Sequence, residues 1–131
     1  MSANPLPPKE ALFEQAALKH WQDLGVELRA DVEAFNRRGG AASFSQIGPN
    51  EYRVSNPSSG LEVTIVADPY DHMVRYDFGQ TGGASAGVPE GGILSMRVAD
   101  AGVQFYSSDQ PVTAQEARSL LLDPVLGVKS K

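Results

Sequence analysis

The residues of this chain best suited to chemistry lie in one short run, Asp68-Pro69-Tyr70-Asp71-His72, with Tyr76 and Asp77 close behind. A carboxylate that orients an imidazole can turn it into a general base. The same run also has the composition of a hairpin turn, in which Asp bonds its own backbone and Pro presets φ. In that reading each Asp already has a role and His72 opens the next strand, so the turn is the stronger account. The other histidine, His20, stands beside Trp21 on a helical stretch and is expected to flank its apolar stripe. Two histidines so far apart in sequence make no metal site on spacing alone. No catalytic residue, metal ligand or cofactor is therefore assigned.

Gly79-Gln-Thr-Gly-Gly-Ala-Ser-Ala-Gly87 has the look of a phosphate loop, but it lacks a following helix and the Gly-Lys-Ser/Thr of that motif. Ser85 sits between Gly83 and Gly87 at nucleophile-elbow spacing, yet an elbow needs a strand-to-helix turn. The stretch from Gly79 to Gly92 contains six Gly, these two included, and few large side chains, so a flexible loop is expected over 79–92.

Arg53, Arg75 and Arg97 fall at outward positions of three predicted strands, with Tyr106 alongside. Clustered guanidinium groups suit an anion or an acidic peptide. Glu62 and Asp77 lie among them, so neutralisation of a mixed surface is the competing reading. On the preceding helix, Gly25 is placed mid-helix, where it costs about 1 kcal/mol against Ala. It either admits a close neighbour, such as a strand or a partner's helix, or is simply tolerated.

The elements that carry these residues follow from periodicity. Phe13, Ala17, Trp21, Leu24, Leu28, Val32 and Phe35 recur at helical spacing, with charged and amide residues on the other side. Pro7-Pro8 suits the start, Arg37-Arg38 the negative end and Gly39-Gly40 a left-handed stop. A long amphipathic helix is predicted over 7–38, about 42 Å in length.

From 41 to 108 the period becomes two. Strands are predicted near 43–47, 51–55, 61–67, 72–78, 93–98 and 103–107, joined mostly by Pro, Asn, Asp and Gly turns. Short connections join antiparallel neighbours, so the run reads as a meander of about six strands. A turn at Asp68–Asp71 sets Ile65 opposite Val74 and Val63 opposite Tyr76. A turn at Asp100–Gly102 sets Val98 opposite Val103 and Met96 opposite Phe105. Both registers gather one apolar face and leave a wet one carrying the three arginines.

Thr113-Ala-Gln-Glu116 is a capping box and starts a short helix over 113–123, which Asp123-Pro124 is expected to end, leaving a loose tail over 125–131. The predicted fold is two-layer α+β, with the long helix covering the apolar sheet face. A helix of about 42 Å exceeds the roughly 24 Å width of six strands. It would therefore overhang and expose Phe13 or Trp21, which would favour a homodimer; Gly25 joins them as a candidate interface residue.

Composition bounds the rest. The 131 residues include 11 Lys and Arg against 16 Asp and Glu, no Cys and one Trp. A formal charge of −5 argues against nucleic acid as the main partner, and the missing Cys removes disulfides and thiolate chemistry. With 41% apolar and 21% charged residues, a single domain over 1–131 can build a core. No stretch approaches the roughly 18 apolar residues of a membrane span, and no basic-then-apolar leader opens the chain, so a cytoplasmic setting without membrane is expected. The leading expectation is a non-catalytic interaction module that binds a protein partner, or its own copy, through the wet face or the overhanging helix. One rival is a small-ligand carrier or enzyme whose helix–sheet pocket is closed by the Gly79–Gly92 loop. Another is a structural subunit of a larger assembly.

Overall fold

The computed structural model describes residues 9–68, 71–81, 88–99 and 102–127, with the backbone alone at 9–14, 98, 99 and 102. Helix α1 (Lys9–Arg37) is followed by seven strands and a second helix. The strands are β1 (Ser43–Gly48), β2 (Glu51–Asn56), β3 (Leu61–Asp68), β4 (Met73–Gln80), β5 (Gly92–Ala99), β6 (Gly102–Ser107) and β7 (Gln110–Val112). Helix α2 (Ala114–Leu126) closes the series, and the sheet order is β1 to β7 in sequence. The fold is α+β, with both helices packed on one face of an antiparallel meander.

The helical stripe does what its spacing implies. Ala17, Trp21, Leu24, Leu28 and Val32 are at most 5% exposed and join Tyr52, Val54, Val63, Ile65, Val74, Leu94 and Phe105 in one core. Helix α1 stops where Gly39 takes φ +100° and the Gly40 N–H returns to the Phe35 carbonyl. Just beyond, the Asn36 side chain clamps Ala42 by donating to its carbonyl at 2.9 Å and accepting its N–H at 2.8 Å.

Four expectations need correction. Among the described residues there are seven strands, not six, because Gln110–Val112 adds an edge strand on β6. Its three residues and its Pro111 give no alternation to read, and an edge tolerates proline. The β3–β4 register is displaced by two residues, pairing Ile65 with Tyr76, Val63 with Phe78 and Ala67 with Val74. A shift of two leaves every side chain on its face, so the apolar pattern could not detect it. The β5–β6 register is as expected, with Met96 opposite Phe105.

The third correction is the helix end. Helix α2 passes through Pro124 to Leu126 and ends at Gly127, whose left-handed φ of 73° lets its N–H reach the Asp123 carbonyl. Proline here forfeits one helical hydrogen bond, while the chain beyond it is held by burial of Val125 and by two side-chain donors to the Val125 carbonyl, from Asn56 at 3.0 Å and Ser59 at 2.6 Å. Val125 and Leu126 thus belong to α2, and 128–131 lie outside the described residues. The fourth is the extent of the glycine-rich loop. Gly79 and Gln80 end β4 and Gly92 opens β5, while 82–87 fall outside the described residues. The capping box is formed, Thr113 and Glu116 each receiving the other's N–H.

Candidate functional site

Strand alternation puts Arg53 on β2, Arg75 on β4 and Arg97 on β5, all three exposed on the sheet face away from the helices. They do not converge. Strand β5 pairs with β4 through Met73–Ser95 and Arg75–Ile93, so Arg97 lies four residues further along β5 than the position beside Arg75. That is about 13 Å. Arg53 bonds Glu51 at 3.3 Å. Arg97 donates to the Ser108 carbonyl at 3.1 Å, pairs with Asp109 at 3.5 Å and lies 4.7 Å over the Tyr106 ring. Arg97 and Tyr106 are therefore brought together, but as a local clasp on the β6–β7 turn. Among the described residues Arg75 forms no ion pair.

Arg75 instead occupies the middle of a cross-strand row. Glu51 pairs with Val66, Val66 with Arg75 and Arg75 with Ile93, across four adjacent strands. Val66 is 38% exposed and Ile93 47% exposed. Beside them is a shallow depression of about 170 Å³ lined by Val66, Ala67, Asp68, Met73, Arg75 and Ile93. Among the described residues, the outer face thus offers an unpaired cation, Arg75, between two β-branched side chains.

The other predicted positions have different places. Trp21 is 1% exposed, stacked on Tyr52 with ring centroids 4.1 Å apart, and its indole N–H donates to the Pro49 carbonyl at 2.9 Å. It anchors α1 to the β1–β2 turn, so of the two side chains named for the overhang Trp21 is buried in the core. Gly25 admits the Tyr52 ring, since a Cβ there would overlap it, so the close neighbour is a side chain of this chain and not a partner's backbone. The Phe13 side chain lies outside the described residues.

Of the Asp68–His72 run, Asp71 and His72 are turn residues. The Asp71 N–H reaches Asp68 Oδ1 at 3.2 Å, and His72 takes a left-handed φ of 53° with its carbonyl accepting from the Met96 N–H. Pro69 and Tyr70 lie outside the described residues. His20 packs its ring on Phe105 at 4.4 Å, and burial lowers its pKa against an opposing pull from Asp23. Among the described residues no three His, Asp or Glu gather as a metal-ligand group, and no helix is long and apolar enough to cross a membrane.

The helix–sheet interior is filled by fully buried side chains. Of its polar groups, the Tyr52 hydroxyl donates to the Trp21 carbonyl at 3.0 Å and burial pushes that phenol's pKa up, while the buried His20 Nε2 beside Phe105 has no hydrogen-bond partner among the described residues. A larger open groove of about 840 Å³ runs between β7 and α2, along Pro111, Leu120 and Asp123. Its Glu116 carboxylate is occupied by the capping box, and burial raises the Asp123 pKa.

Two polar sites escaped the sequence. Arg118 on α2 holds Glu27 at 2.8 Å and Asp31 at 2.7 Å, tying the helices together. Asn56, only 2% exposed, ties the β2 end to α2. Each joins residues far apart in the chain, where no local pattern signals a contact. Comparison with protein-family models, curated proteins and solved structures finds no match to this chain.

Proposed function

We propose that this chain is a non-catalytic protein-interaction module whose binding surface is the outer face of the sheet. The observation that supports this is the row in which Val66 and Ile93 stand exposed on either side of Arg75. β-Branched side chains on a solvent face contribute to binding when a partner covers them, and a guanidinium between them sets orientation and selectivity. The close packing of buried side chains between helices and sheet argues against a carrier or enzyme pocket there, because a ligand site needs space.

The test is a comparative affinity purification with tagged wild type, I93D on the outer face and V26D on the exposed side of α1. Proteins retained by wild type and V26D, an untagged copy of the chain included, are expected to be lost with I93D. Retention of the same set by I93D would overturn the reading.

A further inference from the structure

We propose that the occupant of the outer sheet face is a second copy of this chain, related by a two-fold axis parallel to the strands over β3. This rests on the reading of that face as a protein-binding surface. The argument comes from the charge pattern on either side of β3. Glu51, Val66 and Arg75 form one cross-strand row, and Arg53, Thr64 and Asp77 form the next. Strand β2 therefore carries minus then plus where β4 carries plus then minus. Among the described residues neither Arg75 nor Asp77 has an ion-pair partner, and Arg53 is held only by the exposed Glu51 contact at 3.3 Å.

A two-fold axis along β3 lays β2 of one copy over β4 of the other. Glu51 then meets the second copy's Arg75, and Arg53 meets its Asp77, each contact occurring twice as an isologous interface requires. Val66 covers Val66, and Ile93 covers Gly48, the β1 partner of Glu51, next to the exposed Ile47. The same charges also match about an axis perpendicular to the strands. That arrangement, however, sets Val66 over Thr64 and Ile93 over Gly91, so the apolar contacts select the first.

Packing sheets cross at about 30°, which displaces the four ion pairs by only about 3 Å, within reach of an arginine. Glu62 and Asp68, at the two ends of β3, lie on the axis and face their own copies. The same crossing spreads each of those pairs by about 5 Å. Five facing strands span about 24 Å by 20 Å, or about 1,000 Å² over both copies, at the low end for a specific interface. The dimer is therefore expected to form at micromolar concentration and to dissociate on dilution.

Sedimentation equilibrium from low to several hundred micromolar tests it on wild type, E51R, R75E and an equimolar mixture of the two variants. Wild type should show a monomer–dimer equilibrium, and each variant alone should weaken it by roughly ten-fold or more, since like charges then face each other. The mixture should regain association, because each variant supplies the sign the other lacks; under the perpendicular axis it would not. E62Q should tighten the dimer. Wild type monomeric throughout, or a mixture no tighter than its components, would overturn the proposal. Neither result touches the broader reading of the face, which fails separately if I93D keeps every partner.

Discussion

The Tyr52 hydroxyl donates to the main-chain carbonyl of Trp21 at 3.0 Å while the two rings stack at 4.1 Å. One side chain of β2 thus holds α1 twice, through a polar tip and an aromatic face. Gly25, one turn further along α1, is the space that lets the phenol ring reach that carbonyl.

Gly25→Ala should therefore destabilise the fold. It gains about 1 kcal/mol of helix propensity but forces the Tyr52 ring aside, an overpacking cost of about 1–3 kcal/mol. In a Tyr52→Ala background the sign should reverse, because the obstruction is gone. Urea midpoints for the four proteins of this cycle check it; equal effects in both backgrounds would show that Tyr52 is not the cause.

Asn56 is buried, and its amide donates to the Val125 carbonyl while its oxygen accepts the Ser58 N–H. Asn56→Ala should cost roughly 1–3 kcal/mol by leaving these groups unpaired. Asn56→Asp should cost more, since it sets a buried carboxylate against the Val125 carbonyl. Hydrogen exchange should rise first in the last turn of α2, where Ser59 alone would remain on that carbonyl. Exchange rising uniformly over the chain would speak against a local tie.

Arg118 spans Glu27 and Asp31 with a side chain 20% exposed. Arg118→Lys keeps the charge but loses the planar fork, and a loss of about 1 kcal/mol is expected, between the values for exposed and buried pairs. Arg118→Met should lose somewhat more, with Glu27 and Asp31 left side by side. If thermal melts find Lys equal to Arg, the fork geometry is unimportant.

His20 sets a pH dependence. Burial against Phe105 lowers its folded pKa below the usual 6.5, with Asp23 pulling the other way. Below pH 6.5 the unfolded chain takes up the proton before the folded one does, so stability falls with acidification until the lowered pKa is passed. Above 6.5 the contribution is constant. Denaturation midpoints between pH 7.5 and 5 should fall more steeply for wild type than for His20→Leu, and parallel curves would remove His20 from the account.

What was legible in the sequence is what repeats locally. The stripe from Ala17 to Val32 sits on one helical face, the outward position of Arg53, Arg75 and Arg97 follows from alternation, and the Thr113–Glu116 box is four residues long. Each is a property of neighbouring residues, and burial of the complementary face enforces it.

What alternation could not determine was decided by tertiary structure. Apolar pattern with period two is blind to a shift of two, so the faces alone left the β3–β4 register open. No short turn constrains the β4–β5 pairing, and that pairing separates Arg75 from Arg97 and sets Arg75 between Val66 and Ile93. Helix propensity predicts a stop at Pro124, yet burial of Val125 and two donors from the β2–β3 turn carry α2 past it. The sequence alone determined which residues face water. Which of them stand side by side was settled by strand pairing, since contacts between distant segments depend on how the whole sheet registers and not on any local period.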